Sequence, residues 1–221
     1  MKKNKALDKL AGFISNYSII FWDFDGVIKD SVAVKTLAYE SLFLPYGANV
    51  ARAVREHHEA NGGMSRFEKI PLYLQKAGVV VTDNVVEEFC YQFSNLVLER
   101  VIESPWVPGA LEYLTQTHAN NKFVLVTATP EIEIEIILER LGIGTYFQKI
   151  YGAPVTKTTA IADVMAQNLL KPAQALMIGD ASADLVAAEN NSISFLLRQT
   201  STNTLLQKTY NGPQFGNFYD E

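Results

Sequence analysis

Cysteine is almost absent from this sequence, since Cys90 is the only one among 221 residues. A single thiol excludes a disulfide within the chain. Long apolar stretches are missing as well. The longest segment without a charged residue, 10–22, contains Gly12, Ser15 and Asn16, so we expect no transmembrane helix and no contact with membranes.

Basic charge is not in excess either. Lysine and arginine total 19, aspartate and glutamate total 24, and the net charge is −5. Nucleic-acid-binding surfaces need clustered cations, so the composition disfavours that class of protein. The lysines near the N-terminus are followed by Asp8 and Lys9 before any apolar segment. We therefore expect no secretory signal and a soluble, cytoplasmic protein.

Short apolar segments alternate with helical patterns over most of the chain, without repeats or low-complexity regions. Runs that are apolar on both faces, separated by helices, are typical of buried parallel strands. They occur at 18–22, 122–127, 147–151, 175–178 and 193–197. The intervening stretches predict helices at 109–118, 130–141, 157–169 and 182–190. This alternation predicts an α/β, Rossmann-like core domain built on a parallel sheet.

One segment fits two patterns. Residues 131–136 read EIEIEI, an alternation that suits a strand. However, the apolar residues of 134–141 recur at helical spacing, Pro130 suits a first helical position, and Gly142 suits a helix end. We predict a helix here.

Residues 31–104 contain no strand-like segment. Their apolar residues repeat at helical spacing, as in Val86, Phe89, Phe93 and Val97. We predict an all-helical cap domain at 31–104, inserted into an α/β core domain formed by 1–30 and 105–221.

Polar residues follow three of the predicted strands. Asp23 and Asp25 follow the first, Thr127 ends the second, and Asp180 and Asp184 follow a third. Because ligands bind beyond the carboxyl ends of parallel strands, we expect these side chains to lie together. Clustered carboxylates repel one another unless a cation joins them. The pattern therefore predicts a hard divalent cation such as Mg²⁺, with phosphate as the natural partner of the metal and a lysine.

Four motifs appear in a fixed order: DFDGV at 23–27, Thr127 after VLV, a lysine at 157, and GDASAD at 179–184. With these motifs the chain resembles the haloacid dehalogenase superfamily over nearly its whole length. The helical insertion after the first motif is similar to the cap of the phosphoglycolate phosphatase and β-phosphoglucomutase branch. The first and last motifs are specific, whereas the middle two are weak alone.

The resemblance implies a role for each carboxylate. Asp23 would be the nucleophile that forms an aspartyl-phosphate, and Asp25 would be the general acid and base. Mg²⁺ would bind Asp23, Asp180 and the backbone carbonyl of Asp25. Asp184 would lie just behind the metal and hold a metal-bound water or a lysine.

Phosphate contacts are implied for Thr127, Ala128 and Lys157, with Thr127 and Lys157 in catalytic roles. Ala128 stands where many relatives have asparagine, so its backbone amide would bind. Lys157 lacks the proline that often follows the family lysine, whereas Lys171 has one. Lys171 lies only a few residues before a strand, at the wrong edge of the sheet, so we favour Lys157. Lys149 is a weaker alternative.

The cap segment Gly63-Met64-Ser65-Arg66 resembles one in sugar-phosphate mutases, whose arginine meets the distal phosphate of the substrate. The resemblance implies that Arg66 contacts substrate, with a surface arginine as the alternative. The pattern leaves open whether three further cap residues contact substrate: His57, His58 and Lys69.

These observations predict a Mg²⁺-dependent phosphatase that hydrolyses a small phosphorylated metabolite, such as a sugar phosphate. Asp25 favours phosphomonoesters, because dehalogenases and phosphonate-cleaving relatives lack this carboxylate. A phosphomutase of the β-phosphoglucomutase type is the alternative, and Arg66 mildly favours it. A non-catalytic phosphate-binding protein on the same scaffold is disfavoured, because all the polar site positions are filled. The sequence does not predict the oligomeric state.

Overall fold

A parallel six-stranded sheet forms the centre of the computed structural model, which describes residues 10–219. The strand order is β3-β2-β1-β4-β5-β6. The chain leaves β1 toward β2 on one side and later returns to β4 on the other, so the crevice for a ligand opens beside the end of β1. The strands are β1 (Ile19–Trp22), β2 (Lys122–Pro130), β3 (Lys149–Ala153), β4 (Ala175–Gly179), β5 (Ser194–Arg198) and β6 (Gln214–Phe215).

Helices cover both faces of the sheet, and four more form the insertion after β1. The insertion contains α1 (Val32–Phe43), α2 (Ala48–Ala60), α3 (Arg66–Lys76) and α4 (Asp83–Glu103). The helices of the core are α5 (Ala110–Thr117), α6 (Glu131–Leu141), α7 (Lys157–Gln167), α8 (Ser182–Asn190) and α9 (Thr204–Thr209). Short 3₁₀ turns occur at Leu44–Tyr46, Gly144–Tyr146 and Pro172–Gln174.

Burial on both sides explains why β1 is apolar throughout. Ile19 and Phe21 pack in a cluster with residues of α7 and α8. Ile20 and Trp22 point the other way, into a larger cluster that includes residues of α5 and α6. A central parallel strand between two helical layers has no solvent-facing side, so it carries no polar residue until it ends at Asp23.

The predicted α/β fold with a parallel sheet and a helical cap is confirmed. The EIEIEI segment is helical, as predicted, but α6 begins at Glu131 because Pro130 ends β2 and caps the helix. The strand predicted at 147–151 lies two residues later, at Lys149–Ala153. The division into domains at 30/31 and 104/105 stays a prediction.

The C-terminal segment contains two elements that the sequence did not predict, α9 and β6. Strand β6 pairs with the end of β5 over only two residues. Phe218 follows it and is fully buried, with its ring stacked on Trp22 at a centroid distance of 5.7 Å. The tail therefore completes the core beside the first strand.

Aromatic packing joins three of the cap helices. Tyr39 on α1 stacks on Phe93 of α4 with ring centroids 3.9 Å apart, and Tyr73 of α3 meets the Tyr39 ring edge-on. None of the helices among the described residues has both the length and the apolarity that a bilayer crossing needs.

The two segments that join cap and core run side by side. The amide of Asp30 donates to the carbonyl of Pro105 at 2.8 Å, and the amide of Val107 donates to that of Ile28 at 3.0 Å. These bonds fix where the cap begins and ends above the sheet, so the cap helices lie over the carboxyl ends of the strands.

Candidate active site

A cavity of about 360 Å³ lies between the carboxyl edge of the sheet and the cap. The core contributes charged and polar residues to its lining, and the cap contributes cations and aromatic rings. From the core come Asp23, Asp25, Thr127, Ala128, Lys157 and Asp180; from the cap come Lys35, Tyr39, His58, Arg66, Lys69 and Phe93.

Three buried carboxylates meet at the ends of β1 and β4. Asp23, Asp180 and Asp184 each offer an oxygen, and these oxygens lie within 4.8 Å of one another. The adjacent strands place them there, since the amide of Asp23 donates to the carbonyl of Ile178 in β4 at 3.0 Å. Gly26 leaves the space, because a Cβ at this position would lie 2.2 Å from Oδ2 of Asp180.

Lys157 is the cation in contact with these carboxylates. It is the first residue of α7, and its Nζ lies 2.9 Å from Oδ1 of Asp23 and 2.5 Å from Oδ1 of Asp184. Burial lowers the pKa of Lys157, but the two carboxylates outweigh it and raise the pKa above the usual value. The alternatives lie elsewhere: Lys149 is an exposed neighbour of Gln167, and Lys171 is exposed before a 3₁₀ turn.

Asp184 orients this lysine from behind. Its side chain has no exposed surface, Oδ1 accepts from Lys157, and Oδ2 accepts from the amide of Ala181 at 3.0 Å. Of the two partners that the sequence predicted for Asp184, the structure shows the lysine.

The positive charge of Lys157 only partly offsets the repulsion among the three carboxylates of this cluster. Burial raises the pKa of Asp23 to about 7, because the favourable charge of Lys157 does not offset burial and the neighbouring carboxylates. Burial and the charge of Asp23 also raise the pKa of Asp180 well above its usual value. Buried, crowded carboxylate oxygens are the donors that a hard divalent cation takes, so this cluster fits a metal site.

The side chain of Asp25 lies outside that cluster and faces the cap. Its carboxylate accepts from Ser31 Oγ at 2.6 Å and from Thr129 Oγ1 at 3.2 Å, and it forms an ion pair with Lys35. Burial raises the pKa of Asp25, but Lys35 and the two hydroxyls outweigh burial and lower it. This leaves the backbone carbonyl of Asp25, rather than its carboxylate, as the group predicted to face a metal.

Sequence reasoning missed Lys35, Ser31 and Thr129 as neighbours of Asp25. Ser31 and Lys35 are one helical turn apart, a spacing that aligns two polar groups on one face of α1. Thr129 lies in β2, and its hydroxyl donates to Asp25.

The end of β2 supplies the predicted phosphate-binding segment. Thr127 is buried, and its hydroxyl accepts from the amide of Thr129 at 3.2 Å. The register of β2 against β3 shifts between Val126 and Pro130, which leaves Thr127 and Ala128 outside the regular ladder. Both residues line the same cavity as Asp23 and Lys157.

Arg66 contacts a carboxylate of the core. Its guanidinium forms two parallel hydrogen bonds with Glu133 of α6, at 2.8 and 2.6 Å, and Ser94 of α4 bonds to both residues. The ring of Phe93 lies 4.7 Å from the guanidinium carbon. The sequence suggested that the guanidinium of Arg66 binds a phosphate of the substrate. In the structure this guanidinium donates to the carboxylate of Glu133.

Two of the three cap residues left open by the sequence reach the cavity. Lys69 and His58 line it, and Lys69 Nζ lies 2.9 Å from Nδ1 of His58. His57 instead bonds to the hydroxyl of Tyr73 at 3.1 Å.

A parallel sheet with acidic residues at its carboxyl edge, beneath a helical cap inserted after the first strand, defines a class of α/β hydrolases. Residues 19–197 match the model of the haloacid dehalogenase-like hydrolase family, and the chain belongs to this family. The resemblance inferred from the motifs is therefore confirmed.

Relatives and solved structures agree with this assignment. The chain is 30% identical to a phosphoglycolate phosphatase of Pseudomonas fluorescens over 77% of its own length and 65% of that protein, so it spans less than two thirds of this relative. It is 28% identical to a phosphoglycolate phosphatase of Vibrio parahaemolyticus, over 78% of this chain and 79% of that one. The fold is similar to a β-phosphoglucomutase of Clostridium difficile, with a TM-score of 0.73 at 20% identity over 92% of each chain.

Proposed function

We propose that this protein is a Mg²⁺-dependent phosphatase that hydrolyses a small phosphomonoester through an aspartyl-phosphate on Asp23. The observation that carries the proposal is the contact of the Asp23 carboxylate with Lys157 at 2.9 Å, beside Asp180, in a cavity covered by the cap. Phosphoryl transfer needs a positioned nucleophile and concentrated positive charge, and this site provides both.

Asp23, Asp180 and the backbone carbonyl of Asp25 would hold the metal. Mg²⁺ bound there would neutralise the carboxylates and the phosphoryl oxygens. Asp23 attacks phosphorus as the carboxylate, and Lys157, held by Asp184, keeps a second positive charge beside the reacting oxygens. Thr127 and the amide of Ala128, at the end of β2, bind oxygens of the phosphoryl group.

Asp25 acts on the leaving oxygen and then on water. It points into the cavity from the turn after β1, and Ser31, Thr129 and Lys35 fix its orientation. Lys35 and the two hydroxyls lower the pKa of Asp25 and so favour its carboxylate form, which is the base that would deprotonate the water that hydrolyses the aspartyl-phosphate. The protonated form would serve the first step.

The relatives support a small substrate. The curated proteins named above are phosphoglycolate phosphatases, whose named substrate joins a phosphate to a two-carbon acid. A cavity of about 360 Å³ is near the lower end of the usual range for ligand pockets and suits a metabolite of this size.

The phosphomutase alternative rested on Arg66, which lines the cavity. The guanidinium of Arg66 is paired with Glu133. The non-catalytic alternative has no support from the geometry, because Asp23, Asp25 and Lys157 all face the same cavity.

The test is release of inorganic phosphate from p-nitrophenyl phosphate and a panel of phosphorylated metabolites, with Mg²⁺ or with EDTA. We expect turnover that depends on Mg²⁺ and is lost in Asp23→Asn. Asp83→Asn is the matched control, because it makes the same change at an exposed cap residue. Turnover by Asp23→Asn at the wild-type rate would contradict the proposal.

A further inference from the structure

The cations that line the cavity differ in whether a carboxylate neutralises them. Lys157 pairs with Asp23 and Asp184, Lys35 pairs with Asp25, and Arg66 pairs with Glu133. Lys69 is the exception: among residues 10–219, no carboxylate lies within ion-pair distance of its ammonium group, and its polar neighbour is His58.

Lys69 is also one of the most deeply buried of these cations. Its residue is 1% exposed, and the ring of Tyr39 lies 5.9 Å from Nζ. Burial lowers the pKa of Lys69 to about 7, and the positive charge of Lys35 adds to that effect. Burying an ammonium group without a counter-ion is costly, and a weak cation–π contact compensates only in part. An anion bound in the cavity beside Lys69 would reduce the free-energy cost of burying its ammonium group.

His58 fixes where Lys69 points. The pKa of His58 is lowered to about 2 by burial and by the charge of Lys69, so the imidazole is neutral near pH 7. A neutral imidazole whose Nδ1 accepts from Lys69 carries its proton on Nε2. The imidazole takes one of the three protons of the ammonium group and contributes no negative charge, which leaves donors of Lys69 for a ligand in the cavity.

We propose that Lys69, oriented by His58, is the specificity residue of the cap and binds a second anionic group on the leaving group of the substrate. The inference rests on the proposed phosphatase function and narrows it: preferred substrates carry a carboxylate or a second phosphate in addition to the phosphate that is cleaved. Arg66 is less suited to this role, because Glu133 already neutralises its charge.

The test compares substrates that differ only in the second group. 2-Phosphoglycolate carries a carboxylate, ethylene glycol bisphosphate carries a second phosphate, and 2-hydroxyethyl phosphate is neutral at that end. We measure kcat and KM for the wild type, Lys69→Met and Lys76→Met. Lys76 is the matched control, since it lies exposed at the end of the same helix.

We expect Lys69→Met to lose about 10- to 100-fold in kcat/KM on the preferred anionic substrate, mainly through KM, as one charge-assisted hydrogen bond is lost. Its activity on 2-hydroxyethyl phosphate should change little, and Lys76→Met should resemble the wild type on all three substrates. Whichever anionic substrate shows the effect identifies the second group.

A binding measurement separates this inference from the phosphatase function. Glycolate, the product half of 2-phosphoglycolate, and 2-hydroxyethyl phosphate are each added to the protein, and the shift in Tm is measured. Lys69→Gln repeats every measurement with a smaller, polar side chain, and circular dichroism checks that each variant is folded.

Equal losses on anionic and neutral substrates, in a folded variant, would overturn the role of Lys69 while leaving the phosphatase intact. If no substrate releases phosphate, the proposed function fails. The shift in Tm with glycolate then tests the role of Lys69 by itself. A stabilisation by glycolate that needs Lys69 would then still support the subsite, and one that persists in both Lys69 variants would refute it.

Discussion

At the scale of single residues, the two aspartates of the first motif have opposite electrostatic surroundings. Asp23 is buried against other carboxylates, and its pKa is raised to about 7. Asp25 is buried against Lys35 and two hydroxyl groups, and its pKa is lowered. A peptide turn separates the two side chains, so each meets a different set of partners. The surroundings of Asp23 suit a carboxylate that binds a cation, whereas those of Asp25 favour its ionised form, which can accept a proton from water.

Asp25→Asn tests the proton-transfer role. The amide keeps the shape of the side chain but cannot donate an acidic proton. On an alkyl phosphate, whose leaving oxygen needs a proton, we expect kcat/KM to fall by about 10²–10⁴-fold. On p-nitrophenyl phosphate, whose leaving group barely needs one, the loss should be much smaller. Equal losses on the two substrates would show that Asp25 only positions its neighbours.

His58 gives a second residue-scale prediction, on stability. Its pKa is about 6.5 when unfolded and is lowered to about 2 in the fold, first by burial and then by Lys69 and Lys35. Above pH 6.5 the imidazole of His58 is neutral in both the folded and the unfolded protein. Below pH 6.5 only the unfolded state takes up the proton, so stability falls as the pH falls. Between pH 7.5 and 5.5, His58 should account for a loss of about 1.4 kcal/mol in the free energy of unfolding.

The measurement is urea unfolding of the wild type and His58→Gln at both pH values. The variant should lose less stability between pH 7.5 and 5.5 than the wild type does. His57→Gln is the control, because His57 is far less buried and its pKa is lowered less. The same pH dependence in wild type and His58→Gln would mean that His58 is not buried as the structure shows.

The motif residues were predictable because each one follows a buried strand, and strand ends converge at one edge of a parallel sheet. The partners Lys35 and Glu133 were not predictable in the same way. Each lies on a helix whose orientation is set by packing between cap and core, which no local pattern of the sequence encodes. Arg66 shows the consequence: its segment suggested a phosphate ligand, and the structure shows a carboxylate from a helix 67 residues further along the chain.

At the scale of elements, α3 and α6 are joined across the cavity by the pair of Arg66 and Glu133. Both side chains are almost fully buried, and Ser94 on α4 bonds to each of them. A second pair, Arg140 with Glu99, joins α6 to α4 at the surface. Exposed pairs contribute little, so the loss of one partner should matter more at the buried pair than at the exposed one.

Removing one partner of the buried pair should be costly. Glu133→Ala leaves the Arg66 guanidinium buried without a counter-charge, and we expect a loss of about 3–5 kcal/mol in the free energy of unfolding. The double variant Arg66→Met with Glu133→Leu removes both charges and should recover much of that loss. Denaturant unfolding of Arg66→Met, Glu133→Leu and the double variant gives the coupling energy. Additive losses in the double variant would show that the two side chains do not interact.

Elements defined by strong local patterns were predicted, and those defined by tertiary pairing were not. The helix at EIEIEI follows from its apolar spacing and from Gly142, which adopts a left-handed conformation at the helix end. Strand β6 covers only Gln214–Phe215 and exists because β5 offers an open edge. A two-residue strand has no periodicity to recognise, so no local pattern predicts it.

At the scale of the whole molecule, the site lies between a core that contributes clustered carboxylates and a cap that contributes lysines. The sheet edge supplies Asp23, Asp180 and Asp184, whereas the cap supplies Lys35 and Lys69. The carboxylates repel one another in the folded protein more than in the unfolded chain, where they are apart and hydrated. A divalent cation that binds only the folded state should therefore stabilise the entire protein and not only its activity.

Mg²⁺ should raise Tm in a concentration-dependent way. At 100 times the dissociation constant, binding to the folded state is worth about 2.7 kcal/mol, and the Tm of a protein of this size rises by about 5–10 °C. Asp180→Asn removes one oxygen donor of the cluster and should reduce the response strongly, whereas Asp83→Asn on the cap surface should respond like the wild type.

Ca²⁺ should also raise Tm, because it takes the same oxygen ligands, yet it should inhibit phosphate release, since its looser and higher coordination misplaces Asp23. The experiment is a thermal melt with each ion and with EDTA, paired with phosphate release under the same conditions. An identical Mg²⁺ response in Asp180→Asn and the wild type would place the ion away from the three carboxylates.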